Sequence, residues 1–273
     1  MNRNKSILIT ILFALSSSFF YAGEELPPSS LSGNSEAIDD SELGFQYGAY
    51  HEVTFSVSRE HMCMISETSI VYCHGSNLYG QLGPLFAPWN GKLDLTDFGN
   101  PSKLSTGLKH SCALTDRSLV VCWGTMSGSS SELPLDEHQI SRIPVIVEID
   151  GPVKTISSGN EFACAITYSG KVECWNSLNS NHSPIPTFSV TPPHDDFFVS
   201  DITSGGGKVC IISNSGNISC SFEDLGNSSF QEITTKPLEI SNVSSAIANE
   251  MSLCILSDDG VVNCKQWGIL EQL

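Results

Sequence analysis

The ten cysteines of this 273-residue chain form five pairs with one spacing. Cys63/Cys73, Cys112/Cys122, Cys164/Cys174, Cys210/Cys220 and Cys254/Cys264 each span ten positions, and none is left over. Successive first cysteines lie 49, 52, 46 and 44 residues apart. An internal period of that length is the signature of a repeat architecture such as a propeller.

The intervening residues repeat as well: CMISETSIVYC, CALTDRSLVVC, CAITYSGKVEC, CIISNSGNISC and CILSDDGVVNC. Two positions after each first cysteine stands an aliphatic: Ile65, Leu114, Ile166, Ile212 or Leu256. Two before each second cysteine stands Val71, Val120, Val172, Ile218 or Val262. A period of two puts each cysteine and its aliphatic neighbour on one sheet face. The centres carry turn residues, such as Tyr-Ser-Gly at 168–170 and Asp-Asp-Gly at 258–260. Folding each segment at its middle sets its cysteines opposite one another on antiparallel strands, at a separation a disulfide can bridge.

Zinc normally takes closely spaced ligand pairs converging from two segments, and a redox pair normally takes C-x-x-C. Neither describes five C-x9-C hairpins, so the spacing predicts five structural disulfides. Closing such a loop removes roughly 2.7 kcal/mol of unfolded-chain entropy. It also locks a register in which a one-residue slip would turn the aliphatic face outward.

Shorter pieces precede each hairpin, such as RIPVIVEI (142–149) and VKTISSG (153–159) in the third unit. The fold class is therefore all-β: a β-propeller of four-stranded blades with five recognisable repeats and one disulfide per blade. It is either five-bladed or an incomplete or degenerate larger ring. No helical periodicity stands out after the N-terminal segment.

These residues resemble the repeat of the regulator of chromosome condensation family. That unit runs as a strand ending in Ser-x-Gly, then His-x-Cys-Ala-Leu, a glycine turn, Val-x-Cys-Trp-Gly and Asn-x-x-Gly-Gln-Leu-Gly. STGLKHSCALTDRSLVVCWG (105–124) matches almost throughout, with Ser118 at the turn glycine. SSGNEFACAITYSGKVECWN (157–176) matches with Phe162 for the histidine and Asn176 for the last glycine, and GSNLYGQLG (75–83) supplies the tail. The resemblance covers about residues 44–273 and implies a propeller, usually of seven blades in that family. The family's nuclear activity is guanine-nucleotide exchange on a small GTPase with chromatin binding, and no matching functional residues carry over. Exported bacterial relatives include a propeller that inhibits β-lactamases by binding them, so the resemblance implies protein binding.

The first 22 residues have a basic start at Arg3 and Lys5, an apolar run from Ile7 to Leu15, and small residues Ser16, Ser17 and Ser18. They read as a signal peptide. Residues 23–43 read as an acidic flexible leader and 44–273 as the propeller, with hairpins 63–73, 112–122, 164–174, 210–220 and 254–264. Export fits the disulfides, because cysteines pair in oxidising compartments. The expected location is secreted, periplasmic or cell-surface, with no membrane span after signal cleavage. The net charge of −17 argues against nucleic acid as a partner.

Candidates for chemistry are sparse. His61 and His110 occupy a repeat position and read as blade packing. His194, Asp195 and Asp196 in PPHDD (192–196) read as a solvated loop rather than a metal site. SGGGK (204–208) leads into a hairpin and lacks the helix that a phosphate loop needs. No catalytic residues, metal ligands or cofactors are assigned.

Binding is the favoured class, because propeller loops are held by rigid blades. Tracts after the second cysteines carry Tyr79, Trp89, Trp123, His138, Trp175, His194 and Trp267. Trp123 and Trp175 sit at the repeat tryptophan and are expected to pack between blades. Tyr79, Trp89, His138 and His194 remain as candidate binding residues. The expected function is recognition of another macromolecule, a protein first and a glycan second, through the loop face. A secreted carbohydrate-active enzyme and a surface component that completes its ring by self-association are the alternatives.

Overall fold

The computed structural model describes residues 54–87, 90–126, 141–176, 178, 185, 187–225 and 232–271. Five antiparallel sheets follow one another along the chain, one per cysteine pair. Blade one runs from the innermost strand β1 (Phe55–Val57) through β2 (His61–Ile65) and β3 (Ile70–Gly75), with β4 (Leu85–Ala87) lying outside β5 (Asn90–Asp94). Blade two is β6 (Pro101–Thr106), β7 (His110–Thr115), β8 (Val120–Gly124) and β9 (Ser141–Val147). Blade three is β10 (Val153–Ser158), β11 (Ala163–Thr167), β12 (Val172–Trp175) and β13 (Phe188–Thr191).

Blade four holds β14 (Val199–Gly205), β15 (Lys208–Ser213) and β16 (Ile218–Cys220). Before its outer strand the chain makes β17 (Glu232–Thr234), which pairs in parallel with β13 of blade three. It then returns as β18 (Lys236–Pro237) to the edge of β16. Residues 232–237 thus strap two blades together, and no hydrophobic period marks them for it. Blade five has three described strands: β19 (Val243–Ala248), β20 (Ser252–Ser257) and β21 (Val262–Gln266). A one-turn helix, α1 (Trp267–Leu270), follows, which the sequence pattern did not announce because four residues are too few to show a helical period.

The cysteine register is the expected one. Cys63 faces Cys73, Cys112 faces Cys122, Cys164 faces Cys174, Cys210 faces Cys220 and Cys254 faces Cys264. All five are disulfide-bonded, with Cα atoms 3.9–4.1 Å apart, and no cysteine is free.

Alternation along the strands gives each blade a cysteine face and a plain face, and the core consists of their junctions. Cys63, Val71, Cys73 and Leu93 of blade one pack on Ala113, Val121 and Trp123 of blade two. Cys112, Leu114, Val120 and Cys122 pack on Ala163, Ala165 and Trp175 of blade three. Cys164, Ile166, Val172 and Cys174 pack on Val209 and Ile211 of blade four. Cys210, Ile212, Ile218 and Cys220 pack on Leu253 and Ile255 of blade five, where Trp267 and Leu270 of α1 seal the edge.

The hairpin turns use a left-handed residue at one repeat position. Glycine holds it at Gly170, Gly216 and Gly260, whereas Ser69 and Ser118 hold it with φ of 60° in the first two blades. A side chain there costs roughly 1–2 kcal/mol through the clash of Cβ with the following carbonyl. Ser118→Gly should therefore raise stability by about 1 kcal/mol and Gly216→Ala should lower it by a similar amount, read as opposite shifts in denaturant midpoint.

Candidate functional site

Strand direction sorts the connections to two ends of the propeller. The turns between innermost and second strands share one end with the segments that follow each second cysteine. Hydrogen bonds from Ser76 N to Glu60 O, Thr125 N to Lys109 O, Leu225 N to Gly207 O and Trp267 N to Met251 O join them. At the opposite end, hairpin turns meet the links between blades, as in Asp116 N to Asn100 O and Asn214 N to Phe198 O.

Tyr79 lies at the first end, half-buried, with the Lys109 ammonium 4.9 Å from its ring centroid. Lys109 Nζ also reaches Glu161 Oε1 at 3.4 Å, so a cation of blade two joins an aromatic of blade one to a carboxylate of blade three. Two further pairs occupy this end: Arg59 with Glu250 at 3.6 Å and Lys208 with Glu271 at 3.2 Å. The first is exposed on both sides and contributes little to stability.

His194 is at the other end, exposed, with Phe197 edge-on at 5.8 Å. The structure therefore does not bring Tyr79 and His194 together: β13 intervenes between the segment after Cys174 and His194, and a strand crosses the blade from end to end. Trp89 and His138 lie outside the described residues. Trp123, Trp175 and Trp267 are buried in junctions. Asp195 and Asp196 are exposed, and among the described residues no group of three or more His, Cys, Asp or Glu could hold a metal. Lys208 of the SGGGK stretch opens strand β15, and Gly206 O accepts a hydrogen bond from Asn160 N of the neighbouring blade.

The repeat histidines serve the junctions. Ser111 Oγ donates to Gln81 O at 2.9 Å, which leaves His61 Nε2 to donate to Ser111 Oγ at 2.7 Å and Nδ1 to accept from Ser58 Oγ at 3.0 Å. Trp123 Nε1 donates to the same Gln81 carbonyl at 2.9 Å. The NLYGQLG tail is thus a structural wedge: Asn77 Oδ1 accepts Leu82 N at 2.7 Å, and Gln81 and Leu82 are fully buried between blades one and two.

At the innermost strands, Ser56 Oγ accepts Thr106 N and Thr203 Oγ1 accepts Ala248 N of the next blade, at 3.0 and 2.9 Å. Those hydroxyls, which the sequence did not single out, are detectable only as small polar residues recurring opposite the first cysteine.

His110 is fully buried, and neither ring nitrogen has a partner among the described residues. Ala163 stands in blade three where Ser111 serves His61, so the receiving hydroxyl is missing. The ring packs on Gly107, where a Cβ would lie 2.0 Å from His110 Cε1. Phe162 packs on Gly159 in the same way one blade on. Burial holds the pKa of His61 down to about 4 and that of His110 to about 3, both neutral at physiological pH.

Among curated proteins, the human regulator of chromosome condensation is 31% identical to this chain over 118 residues, and the mouse protein 30% identical over the same length. The repeats are of the regulator of chromosome condensation type. Each match covers 40% of this chain and only 27% of the human or mouse protein. The crystal structure of human WBSCR16 superposes with a TM-score of 0.61 at 15% identity, covering 80% of this chain and 62% of that one, which supports the propeller fold. No family profile matches the chain.

Acid should expose the cost of the buried regulator-type histidine. Between pH 6.5 and about 3 the unfolded state binds a proton that folded His110 refuses, so stability falls as pH drops through that window. His110→Phe, the residue found in blade three, should remove this contribution. Denaturation from pH 7 to 4 should show the wild type losing up to about 1.4 kcal/mol per pH unit relative to the variant.

Proposed function

We propose that this chain is an exported scaffold that binds another protein through the end of the propeller carrying Tyr79. The observation that carries this reading is the three-blade cluster of Tyr79, Lys109 and Glu161, an aromatic and its charges fixed in place before any partner arrives. Aromatic anchors beside fixed charges have the composition of binding hot spots. Residues 1–22 act as the export signal and 23–43 as an acidic leader, in keeping with five disulfides that need an oxidising compartment. No helix among the described residues is long and apolar enough to cross a membrane.

Charge narrows the partner. Around the shared end stand Glu60, Glu161, Glu223, Asp224, Glu250 and Glu271 against Arg59, Lys109 and Lys208, and each of the three cations is paired with a carboxylate. A basic protein surface is the complement of this end, and nucleic acid is repelled by it.

The test uses the oxidised chain as bait in its native surroundings, with Tyr79→Ala and Trp89→Ala as variants and His194→Ala as the control at the opposite end. The expected result is a partner retained by the wild type and control and weakened by about tenfold in Tyr79→Ala. Retention of every captured partner by both aromatic variants would contradict the reading.

A further inference from the structure

The first and last blades carry unmatched halves of the junction that recurs four times between them. On the plain face, the residue before each first cysteine is Ser111, Ala163, Val209 or Leu253 in blades two to five, at most 1% exposed, whereas Met62 in blade one is 39% exposed. Before the second cysteine, Val121, Glu173 and Ser219 of blades two to four are at most 5% exposed, whereas Tyr72 of blade one is 42% exposed. The cysteine face shows the reverse. Val71, Val120, Val172 and Ile218 are at most 2% exposed in blades one to four, but Val262 of blade five is 50% exposed, and Cys264 beside it is exposed too.

Both open faces are apolar. Met62, Met64 and Tyr72 join His74 around a hollow of about 290 Å³ on blade one. Val262 and Cys264 stand open on blade five. Repeat arrays that stay solitary end in units with a polar outer face, and exposed apolar patches on a soluble protein mark contacts. Arg59 and Glu250 join the turns of these two blades at 3.6 Å. Their faces do not cover one another within the chain, since Met62, Tyr72 and Val262 all remain accessible.

We infer that this chain assembles head to tail, the cysteine face of blade five in one copy docking on the plain face of blade one in the next. The four internal junctions name the occupant, because in each of them a plain face receives the disulfide and aliphatics of a neighbouring blade. Val262 of one copy then packs with Tyr72 of the next as Val71 packs with Val121 inside the chain. The contact joins unlike surfaces, so every assembly keeps one free half at either end and a further copy can add. The side faces of the end blades carry this contact, which makes it independent of the binding role of the Tyr79 end.

Sedimentation velocity of the full oxidised chain tests it, at an ionic strength that screens repulsion between the acidic copies beyond about 8 Å. The average mass of the wild type should rise past that of a dimer as its concentration approaches about 100 µM, above the micromolar range where such interfaces begin to hold. Tyr72→Asp and Val262→Asp, both at exposed positions, should each stay monomeric. Mixed in equal amounts they should form dimers and nothing larger, because each retains one intact face. A wild type that is monomeric throughout would overturn the inference, and this result stands even should a variant fail to fold. So would a dimer that never grows, assembly that survives either substitution, or a mixture of folded variants that stays monomeric.

Discussion

The structure depends on one interface, repeated: the cysteine face of a blade laid against the plain face of the next. Each of the four described junctions places a disulfide, its two neighbouring aliphatics and an outer-strand side chain against the small or aromatic residues of the following sheet. The disulfide bonds do not join blades. They fix the register within a hairpin, and that register decides which side chains reach the junction. A blade alone would expose both faces, so stability comes from stacking neighbours, as in other repeat architectures.

Polar groups follow the same logic. The relay from Ser58 through His61, Ser111 and Gln81 to Trp123 runs across the first junction and satisfies groups that burial would otherwise orphan. One blade on, alanine at 163 ends the relay, and His110 is left neutral in an apolar slot. The same histidine position is therefore a hydrogen-bonded strut in one blade and a shape-filling ring in the next, which accounts for phenylalanine at 162.

Much of this was legible in the sequence because the strands speak in a period of two and the blades in a period near fifty. The five pairings and the aliphatic faces follow from those periods, and the burial of Trp123 and Trp175 follows from their place at the tryptophan of the repeat they resemble. The strap at 232–237 was not legible, since it is short, largely polar and held by parallel backbone bonds that leave no side-chain pattern. Grouping His194 with Tyr79 failed for a geometric reason: β13 carries the chain across the blade between Cys174 and His194. The Tyr79–Lys109–Glu161 cluster joins residues from three repeats, and no spacing within one repeat encodes it. The tail at 75–83 pointed to the fold and proved to be part of its packing, with Gln81 and Leu82 buried between the first two blades.

The direct test of the account is the connectivity of the disulfides, read by peptide mapping of the oxidised protein without reduction. The account predicts five bridged peptides, each joining the two cysteines of a single repeat. Bridges between different repeats, or free thiols in place of the five bonds, would contradict it.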